Sequence, residues 1–119
     1  MRLPILALAA LCLTPASAFA ASECRVIGDP AVLGINMIAA FTLRAGETCL
    51  FPIRIPGMMT NSGVSQKPSH GTLKQLNVTT FTYTAQRNYS GSDTFAIFGT
   101  GKGPYGSGTS VMTLNVTIR

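Results

Sequence analysis

From Met37 onward, apolar residues recur at every second position in short runs, and clusters of Gly, Pro, Asn, Asp and Ser separate those runs. A period of two is the mark of strands that bury one face and wet the other. The clearest run is Val111–Ile118, where Met112, Leu114, Val116 and Ile118 alternate with Val111, Thr113, Asn115 and Thr117. Met37–Leu43 likewise places Met37, Ala39, Phe41 and Leu43 on one face; its Ala-rich middle could form a helical turn, but its length and the Ala45-Gly46-Glu47 turn favour a strand. Cys49–Ile55 sets Phe51, Ile53 and Ile55 against Leu50, Pro52 and Arg54. Pro52 has no N–H to donate, so it marks an edge or a bulge. Val78–Ala85 alternates Thr80, Thr82 and Thr84 with Phe81 and Tyr83. In Thr94–Phe98 both faces are apolar, which predicts a central strand or one covered by a loop.

Weaker signals predict short strands at Cys24–Gly28, Val64–Gln66 and Thr72–Leu76, with turns at Asp29-Pro30, Pro56-Gly57, Pro68–Gly71 and Asn88–Asp93. Residues 31–36, apolar but broken by Gly34 and Asn36, read as irregular or as a short edge strand, and Met58-Met59 as a connection laid against the core. The stretch 99–108 holds five glycines. Gly101-Lys102-Gly103-Pro104-Tyr105-Gly106 matches the spacing of a dinucleotide fingerprint, but that chemistry needs a helix directly after the turn. Pro104 and the following strand remove the helix. The same residues predict a flexible inter-strand loop presenting Tyr105 beside Lys102, the two candidate binding residues. The sum is an all-β chain: an immunoglobulin-like antiparallel β-sandwich of about seven strands, with turn signals every 8 to 12 residues and no Trp.

The alternation does not extend to the N-terminus. Arg2, an apolar run from Leu3 to Leu13 and Ala18-Phe19-Ala20 read as a secretory signal peptide over residues 1–20, cut before Ala21. The run is shorter than the ~20 apolar residues of a spanning helix. The expected product is residues 21–119, one domain with no membrane span, secreted or periplasmic in a bacterium. Within it, eight Lys and Arg stand against four acids, a net charge of +4. The cations are dispersed, which argues against a nucleic-acid groove. Cys12 leaves with the leader, and the remaining pair, Cys24 and Cys49, is expected to form a disulfide in an oxidising compartment.

Four carboxylates and one histidine leave little for catalysis. A triad from His70, Asp93 and a serine is arithmetically available, yet both residues sit in turn motifs. No metal or cofactor set is apparent, and Met58-Met59 alone is a poor soft-metal site. Asn77-Val78-Thr79, Asn88-Tyr89-Ser90 and Asn115-Val116-Thr117 are formal glycosylation sequons that read as strand and turn residues.

Pro68-Ser69-His70-Gly71-Thr72, Phe81-Thr82-Tyr83-Thr84 and Asn88-Tyr89-Ser90-Gly91-Ser92-Asp93-Thr94-Phe95 resemble, in order and spacing, the signature of bacterial immunoglobulin-like, cadherin-like repeats. Such repeats stand in tandem in secreted adhesin-like proteins. The resemblance covers residues 64–119. It implies tight turns at Gly71 and Gly91, an Asp93 that hydrogen-bonds the turn backbone, and Tyr83, Tyr89 and Phe95 in the core. The chain departs from the pattern in having Ala85 where the family has Pro. It also lacks the acidic, calcium-associated segment, since residues 30–66 hold one acid, Glu47. The function this implies is a non-catalytic interaction or adhesion module of the envelope, with an unidentified protein or envelope polymer as partner. The alternatives are a structural component that pairs through a strand edge near Pro52 or in the C-terminal strand, a small periplasmic enzyme, or a carbohydrate-binding module.

Overall fold

In the computed structural model, residues 21–119 are described; the expected leader lies outside them. Eight strands carry the chain: β1 (Ile27–Gly28), β2 (Met37–Leu43), β3 (Thr48–Pro52), β4 (Met58–Gln66), β5 (Gly71–Asn77), β6 (Thr80–Ala85), β7 (Gly91–Lys102) and β8 (Ser107–Ile118). They form two sheets, β1-β2-β8-β7-β4 and β3-β6-β5. The inward side chains of both sheets make one core, so the class is an all-β sandwich.

The period-two runs explain which faces meet. Ala39 and Phe41 of β2, Phe81 and Tyr83 of β6, Phe95 and Ile97 of β7, and Met112 to Ile118 at alternate positions of β8 are buried, while the residues between them are wetter except for Ala96, which is also buried. Aromatic rings join the layers. Tyr83 stacks on Phe95 at 5.2 Å between centroids, and Phe41 meets Tyr83 edge-on at 5.7 Å. Offset and edge contacts of this kind add to what burial alone contributes.

Two sequence expectations about pairing change. The sandwich is not wholly antiparallel, because β2 runs parallel to β8 along the register Met37↔Met112 to Leu43↔Ile118. That contact joins strands with the whole domain between them, a pairing no local pattern reveals. The C-terminal strand β8 is also not an edge, since β2 flanks it on one side and β7 on the other. β3 does lie at an edge, as Pro52 requires, but its rim is occupied. Cys24 N–H donates to the Leu50 carbonyl at 2.8 Å, and Leu50 N–H donates to the Ser22 carbonyl at 2.8 Å. The same N-terminal segment then crosses to the other sheet, where Ile27 and Gly28 pair with Ala40 and Ala39. The Cys24–Cys49 disulfide, with Cα atoms 4.9 Å apart, ties this crossing segment to β3.

Three further expectations are corrected. Only Ile27–Gly28 of the expected Cys24–Gly28 strand is regular, because the chain changes sheets within it. Met58-Met59 is not a buried connection: it opens β4, with Met59 buried and Met58 72% exposed. And 99–108 is not a flexible inter-strand loop along its whole length. Gly99–Lys102 completes β7, Ser107-Gly108 begins β8, and Gly99 and Gly101 are buried.

Candidate functional site: the β7–β8 hairpin tip

The inward face of β7 runs Phe95, Ile97, Gly99, Gly101, so the period of two continues through glycine. Glycine is needed there because β4 lies against it. A Cβ on Gly101 would collide with the Met58 carbonyl and stand 2.8 Å from the Met59 Cα. Close backbone approach is the usual reason for glycine inside a strand. The strands stay paired to Lys102↔Ser107, and only residues 103–106 turn.

Gly103 N–H donates to the Gly106 carbonyl at 2.9 Å and closes that turn. The turn is also braced from both sides. Gly103 packs against the Pro56 carbonyl, and Gly106 against the Leu33 carbonyl, where a Cβ would come within 2.5 Å. Leu33 is itself 1% exposed, so this support is anchored in packed structure. On the flank, Ser110 Oγ donates to the Val32 carbonyl and accepts from Gly34 N–H, both at 2.9 Å. The tip is therefore a tethered hairpin whose apolar groups are held out in water: Tyr105 is 77% exposed.

Lys102 and Met58 are register partners at the last rung of β4 and β7, and both point outward. Both sequence-predicted binding residues thus lie at this tip, Lys102 on its last strand position and Tyr105 in its turn. Sequence reasoning missed Met58 as a third member. The period of two beginning at buried Met59 was broken by the irregularity between Met59 and Asn61, so the run did not read as a strand.

The residues of the arithmetically possible triad are not assembled. The His70 ring stacks on Tyr89 at 3.8 Å. Asp93 is 4% exposed and fully engaged: Oδ1 accepts from Ser69 N–H and Thr94 N–H, both at 2.9 Å, and Oδ2 accepts from the Tyr83 hydroxyl at 2.6 Å. Burial, and then the Asp93 carboxylate, push the Tyr83 phenol well above its ordinary 10.0. Asp93 therefore holds the turn before β5 as the repeat resemblance implied. Gly71 serves a different purpose from the turn expected of it. A Cβ there would stand 2.5 Å from the Tyr83 ring, so its absence lets the phenol pass. Tyr83 and Phe95 are core residues, whereas Tyr89 is half-buried and packs against that core from its margin.

At the crossing of the N-terminal segment lies a cleft of about 660 Å³, floored by Phe51, Ile53, Met37 and Met112. Its rim carries a bidentate pair in which Arg54 donates to Glu23 at 2.8 and 3.0 Å. That pair draws the Glu23 carboxyl below its usual range and raises the Arg54 guanidinium. Among the described residues, no three His, Cys, Asp or Glu side chains come together in a form suited to a metal ion. None of the described helices or strands is a helix long and apolar enough to cross a membrane.

No family model, curated protein or solved structure matches this chain.

Proposed function

We propose that the chain is an exported, non-catalytic interaction module with an immunoglobulin-type sandwich, docking a protein or envelope polymer through the β7–β8 hairpin tip. The leader pattern of residues 1–20 supports export. Strand order supports the immunoglobulin type: β3 to β8, lettered B to G in sequence, give one sheet of B, E and D and another containing C, F and G. The repeat-like blocks at 68–72, 81–84 and 88–95 support kinship with bacterial cadherin-like repeats.

The carrying observation is that Tyr105 and Met58, 77% and 72% exposed, both stand out at this tip, Tyr105 on a turn fixed on two sides and Met58 on the first position of β4. A rigid aromatic anchor loses little entropy on binding, and aromatic residues, Met and cations suit the centre of a docking patch. The test places a photo-crosslinking amino acid at position 105 of the full chain, expressed with its leader. One discrete adduct in the envelope fraction, lost with Met58→Glu, is the expected result. Equal labelling from position 86, at the other end of the sandwich, would remove the tip from the reading.

A further inference from the structure

The outer face of the five-stranded sheet has an unusual chemistry. Its strands contain two charged residues, Asp93 and Lys102. Asp93 points into the core, and Lys102 stands at the extreme end of β7. Between them the outward positions are Ile38, Ala40 and Thr42 on β2 and Val111, Thr113, Asn115 and Thr117 on β8, uncharged throughout. β7 adds Thr94, Phe98 and Thr100. The Phe98 ring lies across Gly63 of β4, where a Cβ would come 2.8 Å from Cε1, so this side of the face stays shallow. At the β1 margin, Ile27 and Ile38 are 78% and 67% exposed, and Ile35 beside them is 59% exposed. Ile35 and Ile38 line one hollow with Val111 and Thr113, and an exposed apolar patch of this kind marks a candidate association surface.

We propose that this face pairs with the same face of a second copy, forming a two-fold dimer in which two sandwiches pack sheet to sheet. The occupant follows from charge. A two-fold interface sets each patch against itself, so a chain of net charge +4 in residues 21–119 self-associates at lowest cost through a face that holds no interior charge. The charges at its margin are also disposed for it. Arg25 borders the hollow with Thr42 and Thr117, and Asp29 the hollow with Ile38, Val111 and Thr113. A two-fold axis running across the strands turns one copy end for end, which brings the Arg25 end of each over the Asp29 end of the other. The same operation sends the two Lys102 side chains to opposite ends, separated by far more than the ~8 Å screening length. The three-stranded sheet also has a Thr-rich exterior, but it is narrower, and Lys74 sits in its edge strand, where a two-fold would bring like charges together. This dimer does not rest on the hairpin-tip reading, because Tyr105 and Met58 lie at the end of the sandwich.

Sedimentation equilibrium of the full chain, expressed with its leader and recovered after export, tests the proposal. The expected result is a reversible monomer–dimer equilibrium in the micromolar-to-millimolar concentration range reached by the experiment. Thr113→Arg on β8 is expected to weaken the dimer by about tenfold or more, while Thr82→Arg on the three-stranded sheet leaves it unchanged. A monomer at every concentration, or a dimer lost to Thr82→Arg and kept by Thr113→Arg, overturns the proposal. Methyl signals of the unmodified chain give a readout independent of any substitution. Ile38 and Val111 are expected to shift with concentration and Leu76 and Val78 to stay fixed; the reverse pattern overturns the face assigned.

Discussion

The Tyr83 hydroxyl donates a 2.6 Å hydrogen bond to Oδ2 of Asp93, and the two residues belong to opposite sheets, Tyr83 to β6 and Asp93 to β7. One buried polar contact therefore ties the layers together at the end where β7 begins. Because Oδ1 of the same carboxylate holds Ser69 N–H, the contact also fixes the turn that delivers β5.

Tyr83→Phe removes the donor and leaves Oδ2 without a hydrogen-bond partner in a buried site. A loss of about 1–3 kcal/mol is expected from urea unfolding at neutral pH, the range for orphaning one buried group. A midpoint unchanged from wild type would mean that water replaces the hydroxyl at no cost.

The same pair shapes the alkaline limb of stability. Folding holds the phenol neutral beyond its ordinary 10.0, while the unfolded phenol ionises there. Above that pH the unfolded state binds fewer protons than the native state, so stability falls as pH rises through and past 10, and is fully present below it. The difference between wild type and Tyr83→Phe is expected to shrink steadily over that window in unfolding curves taken at stepped pH. A constant difference would separate the bond from the titration.

Cys24 and Cys49 are 25 residues apart, and closing a loop of that length restricts the unfolded chain by about 3.5 kcal/mol in the chain-entropy model. Reduction, or the double change Cys24→Ser with Cys49→Ser, is expected to lower stability by roughly that amount in denaturant titrations. Amide exchange is expected to accelerate first at Cys24 and Leu50, whose N–H groups bridge the crossing segment to β3.

Gly101→Ala inserts a methyl group against the Met58 carbonyl and the Met59 Cα. Separating β4 from β7 to fit it is expected to cost at least about 1–3 kcal/mol, as overpacking does. Exchange protection across the Met58–Gln66 strand is expected to drop while β5 and β6 keep theirs. Uniform weakening of both sheets would instead indicate global destabilisation.

The Glu23–Arg54 pair is exposed on both sides, 51% and 71%, and serves as a reporter more than a support. Glu23 titrates below its ordinary value because of the Arg54 hydrogen bonds. Its small contribution is present above the ordinary carboxylate range and is lost as pH falls through the lowered value. Arg54→Ala is expected to return the Glu23 carboxyl titration, followed by NMR, toward 4.5. The fold is expected to persist, because the disulfide still holds the segment.

What could be read in the sequence was whatever had a local cause. β2, β6 and the body of β8 announced themselves through alternation, and Pro52 marked an edge strand because a missing N–H is a property of one residue. Cys24 and Cys49 paired because residues 21–119 offer no other choice. The misses have non-local causes. Gly99 and Gly101 look like a loop until β4 is known to press on them, and the parallel contact of Ala39 with Leu114 leaves no trace in either segment. At the candidate site, Lys102 and Tyr105 were legible as exposed chemistry between strands. Their rigidity was not, since it depends on Pro56 and Leu33 from distant parts of the chain.

The strand at the middle of the larger sheet is also the last described strand to leave the ribosome. β2 has only the two-residue β1 to pair with, and β7 only β4, until β8 arrives to join the two halves. A chain emerging from its N-terminus therefore cannot complete its larger layer until β8 is free, and the pairing that closes it joins segments distant in sequence. Such late, long-range closure is slow.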